Sequence, residues 1–316
     1  MDVSVIMINY NTFDLTRDAL NSIFENTKEL DYEIILLDNF SPDGSGEKLR
    51  DLFGDRIIYI QTGGNLGTSR SFNIGLKHSQ GKYILWLNSD ILLKDNFIKQ
   101  LFDYMESNSR CGICGGNLFD RNGKPAASYD KILFSGRVAR NNIRLSVILF
   151  RKIFKRQLSL HFNYTKKSKK VGGIIGADFM VRKECFDQIG GLNEDIFMYG
   201  EETEFTYRLY QQTDFISVSV PTARLIHFDG ASSNKDQRIF NEAREKMILT
   251  GISKYLKKCY GKKDVYLFIK SNKIAARRKK QINRLLRRQE QAEAYWEKEK
   301  FYKEYISVFD SFYNTL

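Results

Sequence analysis

Three consecutive residues, Asn88-Ser89-Asp90, could bind a metal ion. They directly follow Tyr83–Leu87, a short apolar run that predicts a buried strand. A carboxylate at the end of such a strand suits Mg²⁺ or Mn²⁺, because these hard cations favour one or two carboxylates together with phosphate oxygens and water. The alternative is that the tripeptide only caps a helix predicted to begin near Lys94.

A second acidic group, Glu201, Glu202 and Glu204, lies in the first turn of a helix predicted over Glu201–Gln212. One of these carboxylates, its pKa raised by its neighbours, could act as a general base. Acidic residues in a first turn also stabilise the helix through its dipole, so the pattern by itself leaves both roles open. His227 ends a predicted strand, and a lone histidine is more often structural than a ligand.

The elements that must position these residues follow an alternating pattern. Short runs rich in Ile, Val and Leu predict strands buried on both faces, each ends in polar residues, and helical stretches separate them. Because ligands of parallel α/β sheets bind beyond the carboxyl ends of the strands, the polar clusters should line one crevice. The strands are Val3–Ile8, Glu33–Leu37 and Tyr83–Leu87, with another at Arg56–Ile60, and the helices are Asp14–Thr27, Gly67–His78 and a shorter Glu47–Phe53.

The later part of the sequence predicts fewer clearly defined helices and strands. A helix at about Lys94–Ser107 precedes a strand over residues 111–120, and residues 172–184 read as one strand. Two further strands are predicted at Phe215–Val220 and Ala223–His227, and the chain is helical from Arg238 with a break near Gly261. Cys111 and Cys114 lie in an apolar strand without further ligands at zinc spacing, so they are interpreted as core cysteines.

The composition excludes several classes of protein. The chain has 316 residues, of which 42% are hydrophobic and 13% aromatic, which excludes disordered and collagen-like proteins. It contains no apolar run of transmembrane length, and Met1 leads directly into a strand rather than a signal peptide. Four cysteines are too few for a disulfide scaffold. We therefore expect a cytoplasmic protein.

The net charge of +12 is concentrated in two segments. Residues 131–177 contain twelve Lys or Arg and no acid, and residues 254–288 contain fourteen against the single Asp264. The rest of the chain is therefore acidic. This distribution favours two local contacts with an anionic surface over a body wrapped by nucleic acid. A basic insertion at about 131–170 is a candidate for peripheral attachment to the inner face of the cell membrane, and the alternative is a solvated basic face without a membrane role.

The order of motifs resembles glycosyltransferase family 2, in particular its bacterial rhamnosyltransferase-like branch. The resemblance covers residues 1–235, apart from the basic insertion. It implies an α/β GT-A fold that binds a nucleotide-diphosphate sugar with Mg²⁺ or Mn²⁺ and transfers the sugar with inversion. The motifs are VSVIMINYN, LLDNFSPDGS, GGNLGTSRSFNIGL, GKYILWLNSD, the run from GGIIGADFM to MYGEETEF, and ARLIHFDGAS.

The resemblance also implies roles for individual residues. Asp90 would bind the metal within a DXD-like motif whose first position is Asn88, and His227 would help to hold the metal or the diphosphate. Glu202 takes the position of the base, but Glu201 competes because this chain has Glu where relatives usually have Asp. The implied substrate-binding residues are Asp38 at the nucleotide base, Asn9, Asn65 and Arg70 in the nucleotide or sugar pocket, and Asn88.

The resulting hypothesis is an inverting, metal-dependent glycosyltransferase of bacterial surface polysaccharide synthesis. Its donor would be dTDP-rhamnose or a UDP-sugar, and its acceptor a glycan or a polyprenyl-linked saccharide rather than nucleic acid. Two alternatives are a sugar nucleotidyltransferase, which lacks support because no glycine-rich basic loop opens the chain, and a non-catalytic membrane or nucleic-acid binding module. We expect a catalytic domain over residues 1–235 and a helical C-terminal extension over 236–316, whose final helix could form a homodimer.

Overall fold

The computed structural model describes residues 1–130, 135, 161–228 and 240–313. These residues form two compact units. The first comprises residues 1–130, 161–197 and 201–228, and the second comprises 135, 198–200 and 240–313. Most of the basic insertion, residues 131–134 and 136–160, lies outside the described residues.

The first unit is built on a mixed nine-stranded sheet with strand order β3-β2-β1-β4-β10-β6-β11-β5, to which β8 is added beside β11. The strands β3, β2, β1 and β4 are parallel, as predicted. β10 is antiparallel to both β4 and β6. β7 and β9 form a separate two-stranded sheet. The strands of both sheets are β1 (Val3–Asn9), β2 (Tyr32–Asp38), β3 (Ile58–Gln61), β4 (Tyr83–Leu87), β5 (Ile91–Leu93), β6 (Cys111–Phe119), β7 (Tyr129–Asp130), β8 (Lys169–Val171), β9 (Gly173–Ile174), β10 (Asp178–Arg182) and β11 (Ile216–His227).

Helices cover both faces of this sheet, which is why its central strands are apolar on both sides. In β1, Val5 and Met7 pack in one cluster with α1, α2 and α4, whereas Ile6 packs in the other with α3, α5 and α6. The helices of the first unit are α1 (Phe13–Asn26), α2 (Ser45–Phe53), α3 (Gly67–His78), α4 (Phe97–Ser107), α5 (Lys183–Ile189) and α6 (Glu201–Gln212).

Three predictions about these elements were wrong. The single strand expected over residues 172–184 is interrupted, because the Ala177 N–H donates to the Ile175 carbonyl within a turn (2.8 Å), and its end is the start of α5. The two strands expected after Phe215 form one strand, β11, whose register shifts between Ser219 and Arg224. The strand β5 was not predicted. It occupies Ile91–Leu93, and α4 begins at Phe97 rather than near Lys94.

The second unit contains three helices, α7 (Glu242–Tyr260), α8 (Lys262–Leu285) and α9 (Gln289–Tyr313). The predicted break at Gly261 is confirmed, whereas the turn between α8 and α9 was not predicted. Tyr302 of α9 is buried and donates its hydroxyl proton to Glu245 of α7 (2.7 Å), and Lys298 pairs with the same carboxylate. None of the helices in the described ranges is both long and apolar enough to cross a membrane.

Candidate active site

The carboxyl end of β1 is occupied by a buried amide, that of Asn9. Its nitrogen lies within 3.0 Å of Asp38 Oδ1 and of the hydroxyl oxygens of Ser41 and Ser45, and its oxygen accepts from the Thr12 hydroxyl (2.9 Å). Asn9 is fully buried. It was expected to line the substrate pocket; in the structure it supports Asp38 at the end of the neighbouring strand.

Asp38 is also fully buried at this edge. Its carboxylate accepts from the Ser41 hydroxyl (2.5 Å) and from the Ser41 N–H (3.2 Å). A Cβ at Gly46, in the first turn of α2, would overlap this carboxylate, so the close approach of the helix requires glycine. The hydrogen bonds from Ser41 and Asn9 fix the position of this carboxylate beside the N-terminus of α2.

Asn65 and Arg70 lie at the start of α3 and are exposed. The Asn65 side-chain oxygen accepts from Asn39 Nδ2 (3.0 Å), and Asn39 in turn accepts from the Leu66 N–H (2.9 Å). The Arg70 guanidinium lies 3.9 Å from Glu194. Because exposed ion pairs of this length contribute little, Arg70 remains available to an anionic ligand.

Gly67 brings α3 against the segment that leads to α6. Its φ of +74° is a left-handed conformation, and a Cβ there would overlap Phe197. The next residue, Thr68, donates its N–H to the Phe197 carbonyl (2.7 Å). A residue larger than glycine would therefore be strained both by its backbone and by this contact.

Asp90 and His227 lie side by side, with 3.3 Å between Asp90 Oδ1 and His227 Nε2. Their proximity follows from the sheet: Asp90 directly precedes β5, β5 pairs with the end of β11, and Ile91 is in register with His227. The Phe228 N–H donates to the Asp90 carbonyl (2.9 Å), which extends this pairing by one residue. The two residues implied as metal ligands are thus brought together by backbone hydrogen bonds.

Asn88 completes this cluster. Its side-chain Nδ2 is 3.4 Å from His227 Nε2, and its backbone N–H donates to the Ala177 carbonyl (3.2 Å). Rotation of the Asn88 amide about its Cβ–Cγ bond would present its oxygen at the same place. The cluster then offers one carboxylate, one imidazole and one amide oxygen.

These three ligands suit a divalent cation that retains coordination positions for further ligands. The described residues contain no group of three or more His, Cys, Asp or Glu arranged for a metal. A cation held by Asp90 and His227 would therefore need further ligands from a diphosphate and water, which is how Mg²⁺ and Mn²⁺ are commonly bound beside phosphates. The side chains of Asp90 and His227 are 3% and 13% exposed, so a bound diphosphate could cover both.

The three glutamates of α6 have different surroundings. Glu204 is fully buried and paired with Arg208, whose Nε and Nη2 lie 3.0 Å from its carboxylate, so its role is structural. Glu201 is 4% exposed. Glu202 is half-buried, and its Cδ lies 3.7 Å from the position that a Gly176 Cβ would take. Of the three, Glu202 is the most accessible to an acceptor.

Gly176 also places Glu202 near the cluster of Asn88, Asp90 and His227. A Cβ at Gly176 would lie 3.2 Å from the indole of Trp86, two residues before Asn88. The next residue, Ala177, accepts the Asn88 N–H. The carboxylate of Glu202 is therefore at the same carboxyl edge of β4 as Asn88, Asp90 and His227. Sequence reasoning did not include Gly176 or Trp86, since neither carries a reactive group.

A buried carboxyl group near this edge, Asp178, was also missed. It is fully buried in β10, one oxygen accepts from the Gly116 N–H (2.5 Å), and the other has no hydrogen-bond partner among the described residues. Burial raises the pKa of Asp178 well above its usual range. The folded protein therefore holds this side chain protonated at a pH where the unfolded chain would ionise it.

We expect Asp178→Asn to raise the melting temperature at pH 7. Because the pKa is higher in the folded state, the folded protein binds more protons, and its stability falls as pH rises from about 4, the unfolded pKa, towards the folded value. Asparagine does not ionise, so the gain over wild type should be a few degrees, at about 2–4 °C per kcal/mol for a unit of roughly 150–250 residues. Thermal unfolding at pH 4 should show a smaller gain; an equal or larger gain there would contradict the assignment.

The cysteine interpretation is confirmed. Cys111 and Cys114 are buried in the core of the first unit. Desolvation by burial raises the pKa of the Cys114 thiol well above its usual value, so it is not a reactive thiolate.

The profile of glycosyl transferase family 2 matches residues 4–190 of this chain. More than half of the chain is covered, and the chain belongs to this family. The order of its motifs indicated the same family.

Curated relatives include several named sugar transferases. A low-salt glycan biosynthesis hexosyltransferase of Haloferax volcanii is 27% identical over 211 residues, which are 66% of this chain and 61% of that protein. A dTDP-rhamnosyl transferase of Shigella flexneri is 24% identical over 237 residues, 74% of this chain and 71% of that protein. A poly(ribitol-phosphate) β-N-acetylglucosaminyltransferase of Staphylococcus aureus is 31% identical over 49% of each chain.

Solved glycosyltransferases share the fold. The crystal structure of GalNAc-T7 with UDP, GalNAc and Mn²⁺ superposes with a TM-score of 0.54 and 16% identity, over 72% of this chain and 44% of that one. A mannosyltransferase from Pyrobaculum calidifontis with GDP-Man and Mn²⁺ gives a TM-score of 0.53 and 14% identity, over 81% and 63%. The expected GT-A fold with a helical C-terminal region is confirmed.

Proposed function

We propose that this glycosyltransferase moves a sugar from a nucleotide-diphosphate donor to a hydroxyl group with inversion, and that it requires Mg²⁺ or Mn²⁺. The observation that carries the proposal is the contact between Asp90 and His227 at the edge where Glu202 also lies. The two solved neighbours were determined with Mn²⁺ and a nucleotide or nucleotide sugar, which supports the same cofactor here.

The proposed roles follow from the chemistry of each group. Asp90 and His227 would hold the cation, with the Asn88 amide as a further ligand. When bound, the cation would offset the negative charge that develops on the departing diphosphate. Asp38, held by Asn9, would bind the nucleotide, with Asn65 and Arg70 at the start of α3 contacting the donor.

Glu202 would remove the proton from the acceptor hydroxyl as its oxygen attacks the anomeric carbon. The C–O bond to the diphosphate breaks on the opposite side, and its electron pair leaves with the diphosphate. One displacement inverts the anomeric configuration and needs no enzyme nucleophile. A single base is therefore sufficient.

The donor is proposed to be dTDP-rhamnose or a UDP-sugar, and the acceptor a glycan or a lipid-linked saccharide of a cell-surface polysaccharide. The named relatives from Shigella flexneri and Staphylococcus aureus support this class of reaction, and they act with different sugars. The two basic segments support an acceptor at the inner face of the membrane.

A donor screen tests this proposal. Purified protein is incubated with Mn²⁺ or Mg²⁺ and dTDP-rhamnose, UDP-GlcNAc, UDP-glucose or GDP-mannose, with and without EDTA. A donor at about 100 times its Kd should stabilise the protein by roughly 2.7 kcal/mol and slowly release nucleoside diphosphate. Stabilisation that EDTA does not reduce would contradict metal dependence. Release of pyrophosphate from a nucleoside triphosphate would instead identify a nucleotidyltransferase.

A further inference from the structure

The turn between α8 and α9 combines exposed leucines with arginines. Residues 284–288, Arg-Leu-Leu-Arg-Arg, are here called the hairpin tip, and all five are exposed. Leu285 is 84% exposed and Leu286 50%. Single exposed leucines are common on protein surfaces, but two adjacent ones flanked by cations form a small amphipathic surface. Trp296 of α9 is 39% exposed and lines the same groove as Arg284 and Arg287.

The backbone of the hairpin tip is a Schellman motif. The Arg288 N–H donates to the Asn283 carbonyl (2.9 Å) and the Arg287 N–H to the Arg284 carbonyl (3.1 Å). Arg287 has a φ of +55°, the position in this motif where glycine is usual. The apolar contact that often accompanies the motif would join Asn283 and Arg288, and neither is apolar. The local fold therefore does not account for arginine at 287 or for the leucines.

The charges at the hairpin tip are also unpaired as far as the described part of the chain shows. The side chains of Arg284, Arg287 and Arg288 form no ion pair or hydrogen bond with any residue in the described ranges. From Val265 to Gln289 the chain has nine Lys or Arg and no acid. Two acids, Glu290 and Glu293, follow in α9, and the hairpin tip retains an excess of positive charge.

We propose that the hairpin tip docks on a lipid bilayer that contains anionic lipids. Leu285 and Leu286 enter the interface between the headgroups, and the three arginines contact lipid phosphates. Arginines alone would suit any polyanion, but exposed leucines gain nothing from a nucleic-acid backbone, whereas they gain from leaving water at a bilayer surface. This proposal stands on the second unit alone and does not depend on the transferase reaction.

Vesicle co-sedimentation of the full chain tests the proposal. Wild type should bind phosphatidylglycerol-rich vesicles and bind pure phosphatidylcholine vesicles at least about tenfold more weakly. Changing Arg284, Arg287 and Arg288 together to Gln should lower the partition coefficient about a hundredfold, since each cation near the surface contributes on the order of fivefold. Changing Leu285 and Leu286 to Ser should lower it at least about tenfold.

Two variants separate docking from folding and from net charge. Arg287→Gly should keep or raise the melting temperature, because glycine is favoured at positive φ, yet it should weaken vesicle binding about fivefold. Changing three exposed lysines of the first unit, Lys28, Lys77 and Lys124, to Gln removes the same charge and should leave binding within about twofold of wild type.

Several outcomes would overturn the proposal. Wild-type binding by the triple Arg variant would show that the hairpin tip is not the docking surface. Unchanged binding by the leucine variant would show that no insertion occurs. Loss of oligonucleotide binding by the Arg variant, with vesicle binding intact, would assign the hairpin tip to nucleic acid. Donor stabilisation, measured on the same proteins, should be the same in all of them.

Discussion

Asp90→Asn is expected to abolish metal-dependent turnover while the protein stays folded. The substitution removes the only carboxylate of the Asp90, His227 and Asn88 cluster, and an amide is a far weaker ligand for Mg²⁺ or Mn²⁺. Loss of several kcal/mol of charge stabilisation at the leaving diphosphate corresponds to a fall of about 10³-fold or more in kcat/KM. Steady-state assays over a Mn²⁺ titration, with the donor found in the screen, measure this effect.

The control for this experiment is Asp103→Asn. Asp103 is an exposed carboxylate of α4 that pairs with Lys99, so its loss should leave activity unchanged. Asp90→Asn should also lose the EDTA-sensitive part of the donor stabilisation, a readout that does not require turnover. If the variant retained wild-type kcat/KM and the same Mn²⁺ dependence, Asp90 would not be the metal ligand.

Glu202→Gln is the second substitution with a large expected effect. The amide keeps the size of the side chain but cannot accept a proton, so kcat should fall by about 10²–10⁴-fold, the usual contribution of a general base. Donor affinity and metal dependence should be unchanged, because the base acts on the acceptor.

Glu201→Gln is the matched comparison. Glu201 is more buried than Glu202, so the change should lower kcat by less than about tenfold if its role is structural. The opposite ranking, with Glu202→Gln near wild type and Glu201→Gln inactive, would assign the base to Glu201. Melting temperatures of both variants must be measured, since a loss of fold would lower activity without identifying the base.

The parallel half of the sheet was predictable from sequence. β1, β2 and β4 are continuous apolar runs that end in polar residues, and a run of this kind has few alternatives to a strand buried on both faces. The antiparallel half was harder to predict. β5 has only three residues, and β9 and β10 are separated by a turn that shows no proline or run of polar residues.

The contact between Asp90 and His227 could not be predicted from the local sequence. Taken alone, Asp90 suited a helix cap and His227 a structural role; only the resemblance to a family brought them together. Their contact depends on the pairing of β5 with β11 across 136 positions of the chain, and no local pattern specifies such a register. The sequence also does not distinguish Glu201 from Glu202 as the base, because both lie in one helical turn. Only the structure shows that they differ in burial.

The pairing of β5 with β11 determines which kinds of mutation this enzyme can tolerate during evolution. Replacing Ile91 or Leu93 with another apolar residue keeps the backbone hydrogen bonds between β5 and β11, so His227 stays beside Asp90. Deleting one residue between Arg224 and His227 would instead turn the imidazole to the other face of the sheet. Length changes should therefore be confined to loops outside these two strands and to the irregular stretch of β11 between Ser219 and Arg224, where an insertion would not move the histidine.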